Sequence, residues 1–234
     1  MERNQKIIIG GIAFIIAITF LGFFESYFAR FPGFDNIAMV THIHVIAFIL
    51  WMAILIGQPF LIKQNKLISH RQIGKFTFIL TPVLFVTILL MAYHQLSFYV
   101  LGQSNEFIRN NMLGGLISGT TFIVCYIIAM INVKNLRWHV AFIIGSSLVL
   151  LIPGLGRFVD NMVDGSFGLL SMIIVPYLVL IFILSYEKVK LKRNIINSPY
   201  ALIFVIQVIG MVLFLTISPS ESWGSFVKQL AEKY

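Results

Sequence analysis

The sequence predicts an all-α integral membrane protein that forms a bundle of seven transmembrane helices. Hydrophobic residues make up 59% of the 234 residues and charged residues only 11%, which is more apolar than an average soluble chain. The charges lie in short islands between long uncharged runs, as expected where those runs cross hydrocarbon. The net charge of +8 comes from loops that alternate along the chain. We therefore attribute it to membrane topology and expect no nucleic-acid partner.

Each uncharged run is about long enough, at ~1.5 Å per residue, to cross a hydrocarbon core of roughly 30 Å. The first run, Ile7 to Phe24, resembles a signal peptide. Glu25 and Ser26 follow it in place of a small-x-small cleavage site, so we expect a retained helix. The runs form one domain over residues 1–234, and its predicted transmembrane helices are residues 7–24, 37–62, 73–98, 112–133, 138–156, 167–186 and 200–218.

Two further patterns mark the ends of predicted elements. The segment Ser69-His70-Arg71-Gln72 has the form of a capping box, which would start the third helix near His70. The tail, residues 220–234, predicts a short amphipathic helix on the outer surface. Its lipid-facing side chains would be Trp223, Phe226 and Leu230.

The distribution of lysine and arginine predicts the orientation of the bundle. One face collects twelve of the 17 basic residues, namely Arg3, Lys6, Lys63, Lys66, Arg71, Lys75, Lys134, Arg137, Lys188, Lys190, Lys192 and Arg193. The other face collects Arg30, Arg109, Arg157, Lys228 and Lys233. The positive-inside rule places the N-terminus in the cytoplasm and the C-terminus outside, in the plasma or inner membrane of a bacterial cell.

The topology sorts the five histidines into two tiers. The outer tier is His42, His44 and His94, and the inner tier is His70 and His139. His42 and His44 are two residues apart, about 200° around a helix, so both cannot face one site unless the helix begins there. His44 is the better inward candidate. His70 and His94 are 24 residues apart, roughly 36 Å along a helix, so they cannot share one metal.

An ordinary structural role is the alternative for each of these histidines. A histidine in the first turn of a transmembrane helix is commonly interfacial and solvated, which suits His70 and His139 beside their flanking arginines. His44 and His94 are placed further into their spans, where an ionisable group is costly and favours a functional role. For Gln58 and Gln207 an interhelical hydrogen bond is favoured over a role as ligand.

One pattern of short motifs resembles a known group of proteins. It consists of His44, Gln58-Pro59-Phe60, His70-Arg71-x-x-Gly74, His139 and Gly156-Arg157, and it covers roughly Val40 to Arg157. It resembles a family of uncharacterised bacterial membrane proteins with a domain of unknown function, which is allied to the di-haem b-type cytochromes. The resemblance implies a helical bundle in which haem is ligated by His44, His70, His94 and His139.

Three functions follow as hypotheses for a protein whose one certain partner is the lipid bilayer. The first is redox: haem b held between His44 and His94, which an antiparallel hairpin would bring to the same depth, with a quinone or another membrane protein as partner. The second is a non-enzymatic accessory, sensor or transport protein, with no cofactor. The third is a lipid hydrolase of the outer leaflet, in which both histidines and a carboxylate, Glu25 or Asp160, bind zinc and leave one position for water.

Overall fold

The regular secondary structure of the described part of the chain is all helical. The computed structural model describes residues 5–100, 105–163 and 167–233, and in these ranges there are eight α-helices, two 3₁₀ helices and no strand. The 3₁₀ helices are Phe28–Arg30 and Gln95–Phe98. The α-helices are α1 (Gln5–Gly22), α2 (Met39–Lys63), α3 (Leu67–His94), α4 (Glu106–Ile131), α5 (Leu136–Met162), α6 (Phe167–Val189), α7 (Pro199–Ile217) and α8 (Glu221–Ala231). Helices α2 to α7 are long and apolar enough to cross a membrane, and α1 is apolar but shorter.

The surface of the bundle confirms a membrane environment for these helices. Large apolar side chains point outward along their length, with Phe182 of α6 72% exposed and Ile79 of α3 66% exposed. Only 11% of the apolar window of α7 is buried within the protein. A soluble protein rarely exposes apolar patches on this scale, whereas hydrocarbon solvates them without cost. The chain is therefore an α-helical, multi-pass membrane protein.

α3 begins earlier than the capping-box pattern predicts. Its first residue is Leu67, and its N-cap residue, Lys66, makes no side-chain capping hydrogen bond. Ser69 therefore lies within the first turn, and the prediction of a helix start near His70 is wrong. The turn before the helix is tight because Asn65 has a φ of 57°, a left-handed conformation that asparagine tolerates better than most residues.

α5 is the central helix, and it is longer than the span predicted for it, residues 138–156. It has 27 residues, and 61% of its apolar window is buried inside the protein. Small side chains permit this position: Gly145 lies directly against Ile203 of α7. Ser146 and Ser147 are buried, and their hydroxyls donate to the Ile143 carbonyl at 2.8 and 2.9 Å. Small residues let helices approach closely, and hydroxyls bonded to their own helix need no further partner.

α1 crosses α5 at very short range. A Cβ atom added to Gly22 would overlap the carbonyl of Gly154, and one added to Gly154 would lie 2.7 Å from the Cα of Thr19. Cβ atoms do not approach backbone atoms so closely, so only glycine fits at these two positions. The crossing makes α1 an integral helix of the bundle.

A buried carboxylate joins α5, α6 and α7 at the end where the predicted cytoplasmic loops lie. Glu187 of α6 is 2% exposed. Its Oε1 accepts hydrogen bonds from Arg137 at 2.7 Å and from Arg193 at 3.2 Å, and its Oε2 accepts one from the Ser198 hydroxyl at 2.5 Å. A buried carboxylate is costly unless it is both paired and hydrogen-bonded, and this network satisfies both conditions.

The amphipathic tail forms α8, and it packs on the protein. Val227 is fully buried against Leu96 and Met112, and Trp223 and Leu230 pack on the same cluster. The prediction that Trp223 and Leu230 face lipid is therefore wrong, whereas Phe226 is 49% exposed.

Arg109 of α4 explains why α8 folds back onto the bundle. Its guanidinium donates to the Ser218 carbonyl at 2.8 Å and to the Ser220 carbonyl at 3.4 Å, and its own carbonyl accepts from the Trp223 indole at 3.2 Å. These contacts satisfy carbonyl groups at the end of α7 and fix the direction in which the chain enters α8.

Candidate functional site

The register of α2 against α3 decides where the histidines lie. Near the start of α2, the Thr41 hydroxyl donates to Met91 Sδ at 3.5 Å. One turn further along, His44 Nδ1 lies 2.9 Å from Thr87 Oγ1. The two helices are antiparallel, and these contacts pair each residue of α2 with a defined level of α3.

His44 lies between α2 and α3 with a defined tautomer. The Thr87 hydroxyl donates to the Leu84 carbonyl at 2.7 Å, so its proton is used and its oxygen accepts from His44 Nδ1. The proton of a neutral His44 ring is therefore on Nδ1, and Nε2 carries the lone pair. The ring stacks on Phe48, with a centroid distance of 5.9 Å. Histidines that ligate a metal are commonly held in place by such a hydrogen bond from the second ring nitrogen.

His94 does not lie at the depth of His44. His44 is level with Thr87, which precedes His94 by two helical turns, roughly 10 Å along the axis. The His94 ring contacts Phe98 edge-on at 5.8 Å, whereas His44 faces Thr87. One metal shared by two imidazoles needs ring nitrogens roughly 4 Å apart, at about 2 Å from the metal each. A metal or haem shared by His44 and His94 does not fit this register, and the role of either residue as a single ligand stays a prediction.

His42 points away from this interface. Its Nδ1 lies 2.8 Å from the hydroxyl of Tyr27, and its ring contacts Phe34 edge-on at 5.1 Å. Tyr27 is buried in the connection between α1 and α2, and burial raises the pKa of its phenol above the ordinary value. The neutral phenol and the imidazole form a structural pair that closes one end of the bundle.

The two predicted carboxylate ligands lie in other surroundings. Glu25 is exposed in the turn that follows α1. Asp160, near the end of α5, accepts a hydrogen bond from the Gly168 backbone N–H at 2.8 Å. Gly168 is the second residue of α6, so Asp160 caps the start of that helix. Within the described ranges no three or more His, Cys, Asp or Glu side chains are grouped so as to hold a metal ion.

The inner tier is organised around Gln58 of α2. With its amide oriented to satisfy every partner, Gln58 donates to His70 Nδ1 and to the His70 carbonyl at 3.3 Å, and it accepts from the Gly74 N–H at 3.3 Å. In this orientation Gln58 makes the interhelical hydrogen bond predicted for it. Because His70 Nδ1 accepts, a neutral His70 ring carries its proton on Nε2.

His139 of α5 completes the inner tier with the opposite tautomer. Its Nδ1 lies 2.9 Å from the carbonyl of Ala129 in α4. A carbonyl only accepts, so the proton is on Nδ1 and the lone pair is on Nε2. His70 and His139 are each the fourth residue of their helix, and α3 and α5 both begin at the end of the bundle where the predicted cytoplasmic loops lie. The use of these two histidines as one site stays a prediction.

The sequence alone does not identify two residues that lie opposite the start of α2. Thr87 and Met91 are ordinary residues of an apolar run, and only the helix register places them opposite His44 and Thr41. Their positions, about two turns and one turn before His94, are visible in the sequence, but the pairing with α2 is not.

No family model, curated protein or solved structure matches this chain. The geometry of the described residues is therefore what supports a function.

Proposed function

We propose that the chain crosses the cell membrane seven times, with its N-terminus in the cytoplasm. The twelve-to-five division of its 17 basic residues supports this orientation. Support for α1 as a seventh span comes from its contacts along the bundle. Ile8 and Ile12 pack with Trp51 of α2 in a buried cluster. At the other end of α1, the Phe23 ring lies 4.7 Å from the Arg157 guanidinium carbon of α5.

The proposed function is proton-dependent sensing or transport, with His70 and His139 as the protonation site. The proposal is supported by the pair of opposite tautomers that their hydrogen-bond partners assign. Gln58 fixes a proton on His70 Nε2, and the Ala129 carbonyl fixes a lone pair on His139 Nε2. Histidine is the side chain that changes charge between about pH 5 and 8.

Protonation of this pair acts on four helices at once. A second proton on either ring creates repulsion between His70 and His139, to which the neighbouring charge of Arg71 adds. A proton on His70 Nδ1 also turns that nitrogen from acceptor to donor, so the Gln58 amide has to rotate and release the Gly74 N–H. The contacts of α2 and α5 with α3 and α4 therefore depend on the protonation state, as a proton-driven change requires.

Haem b fits this inner pair poorly. Two imidazoles that ligate one iron each present an unprotonated nitrogen. His139 meets this condition at Nε2, but His70 carries its proton there while Nδ1 is bonded to Gln58. An absorption spectrum decides the redox hypothesis. A quinone or protein partner stays a prediction.

The experiment is a pH titration of tryptophan fluorescence in lipid nanodiscs. Trp138 precedes His139 in α5 and stacks on Phe142 with a centroid distance of 5.7 Å, so its emission reports on this region. We expect a transition between about pH 5 and 8 in the natural protein. His139→Asn retains a donor at the position of Nδ1 but does not titrate, and we expect it to abolish the transition.

Two comparisons make the result specific. His70→Asn should behave like His139→Asn, because each ring is half of the pair. His42→Asn, whose ring pairs with Tyr27, should leave the transition unchanged. The proposal fails if the inner variants titrate like the natural protein, or if the purified protein shows a Soret band that disappears in His70→Asn.

A further inference from the structure

The outer half of the α2–α3 interface contains a thioether beside the oriented histidine. Met91 lies one turn beyond Thr87 on α3, and its Sδ accepts from the Thr41 hydroxyl at 3.5 Å. Thr41 in turn precedes His44 by three residues, so both lie on one face of α2. The contacts Thr41–Met91 and His44–Thr87 therefore place the His44 imidazole and the Met91 sulfur on opposite sides of the α2–α3 interface. Their levels along the helices differ by about one turn.

Each of the two donors keeps a lone pair for a ligand. The Nδ1–H of His44 is used by Thr87, so Nε2 has its lone pair, and no described residue is hydrogen-bonded to it. Met91 Sδ accepts one weak hydrogen bond and keeps a second lone pair. The hydrogen bonds to Thr87 and Thr41 hold both side chains in place, as outer contacts do around metal ligands.

The chemistry of this donor set selects a soft monovalent ion. Imidazole and thioether are both neutral, and the carboxylates predicted for the outer surface lie elsewhere: Glu25 is exposed in a turn and Asp160 caps α6. A site without carboxylate does not compensate the charge of a divalent ion. Thioether ligands prefer Cu(I), whereas Zn²⁺ in proteins is held by imidazole, thiolate and carboxylate.

We propose that His44 Nε2 and Met91 Sδ form a Cu(I)-binding site between the outer ends of α2 and α3. The site binds the ion without a redox step, so no electron donor or acceptor is needed. It is independent of the inner pair, because His70 contacts α2 through Gln58, near the other end of that helix.

The test is anaerobic titration of the detergent-solubilised full chain with Cu(I) against a chromophoric Cu(I) chelator. We expect one bound Cu(I) per chain. Met91→Leu keeps the volume but removes the sulfur, and His44→Asn keeps a donor to Thr87 but removes Nε2. Each should weaken Cu(I) binding at least tenfold. Met52→Leu, in the buried cluster with Trp51, is the matched methionine control and should bind as the natural protein does.

Two further measurements separate this site from the alternatives. X-ray absorption at the copper edge should show a sulfur neighbour that is lost in Met91→Leu. His94→Asn should retain the affinity, because His94 lies two turns from the level of His44. Unchanged affinity in Met91→Leu would overturn the proposal. So would tighter binding of Zn²⁺ than of Cu(I), or a loss in His94→Asn as large as in His44→Asn.

Discussion

Gln58 of α2 hydrogen-bonds to both the ring and the backbone of His70 in α3. The same amide accepts from the N–H of Gly74, so it spans a carbonyl and an N–H that lie one turn apart. One side chain thus fixes the tautomer of the histidine and the position of α2 against the first turn of α3. In a membrane, where apolar contact does not itself drive helices together, such a bond defines the pairing of the two helices.

Replacement of Gln58 by leucine should destabilise the protein. The change leaves the His70 and Gly74 groups without their partner, and we expect a loss of about 1 kcal/mol, the range measured for interhelical hydrogen bonds in membranes. Gln207→Leu in α7 is the matched control. Its amide nitrogen is buried and has no hydrogen-bond partner within the described residues, so leucine there should be neutral or stabilising. Thermal unfolding in detergent compares the two, and equal losses would contradict the role of Gln58.

The sequence predicts the helices of this protein well because each helix is specified by its own run of residues. An apolar run of sufficient length is enough to specify a membrane helix, and the predicted spans overlap α2 to α7 and the region of α1. The central position of α5 depends on Gly145, Ser146 and Ser147, whose small size matters only once α7 and the other helices surround them. The length of the uncharged run at residues 138–156 therefore does not reveal that this helix is the centre of the bundle.

The candidate sites were less predictable because they depend on register. Depth along the membrane follows from sequence, so the prediction places His70 and His139, each the fourth residue of its helix, at the same surface. Pairing across α2 and α3 does not follow, because a shift of two turns separates His94 from His44 while leaving every span intact. The buried role of Glu187 is equally hard to predict. It lies one residue beyond the predicted helix 167–186, and its partners Arg137 and Ser198 come from other parts of the chain.

Glu187→Leu should be among the most destabilising single substitutions in the described chain. It leaves Arg137 and Arg193 without the carboxylate that lies 2.7 and 3.2 Å away. Removal of one partner of a buried ion pair costs about 3 kcal/mol or more. Because both arginines are partly exposed, we expect the free energy of unfolding to fall by about 3 kcal/mol and not by more. The measurement is urea unfolding in detergent.

A double variant distinguishes the loss of charge pairing from a general packing defect at this position. Adding Arg137→Met to Glu187→Leu removes the uncompensated charge and should recover part of the lost stability. Stabilities that simply add would show that Glu187 acts without Arg137.

Gly154→Ala should separate α1 from α5. The new Cβ would lie 2.7 Å from the Cα of Thr19, and backbone atoms cannot rotate away, so we expect a cost of roughly 1–3 kcal/mol. Gly10→Ala, in the same pair of helices, is the control because its Cβ would meet nothing within 4 Å. Limited proteolysis and thermal unfolding should show the N-terminal helix loosened only in Gly154→Ala. Equal behaviour of both variants would mean that the close crossing does not determine the packing of α1.

Variants of Asp160 distinguish a role in capping α6 from a role as a metal ligand. Its Oδ1 accepts from the Gly168 N–H at 2.8 Å, and the amide oxygen of asparagine can accept the same bond. We therefore expect Asp160→Asn to retain the stability of the natural protein and Asp160→Ala to lose about 1 kcal/mol, the usual cost of removing an N-cap. A carboxylate that ligates zinc would behave differently, because asparagine is a poor zinc ligand. Thermal unfolding with and without added Zn²⁺ measures both effects, and a zinc-dependent stabilisation that Asp160→Asn abolishes would return Asp160 to the role of metal ligand.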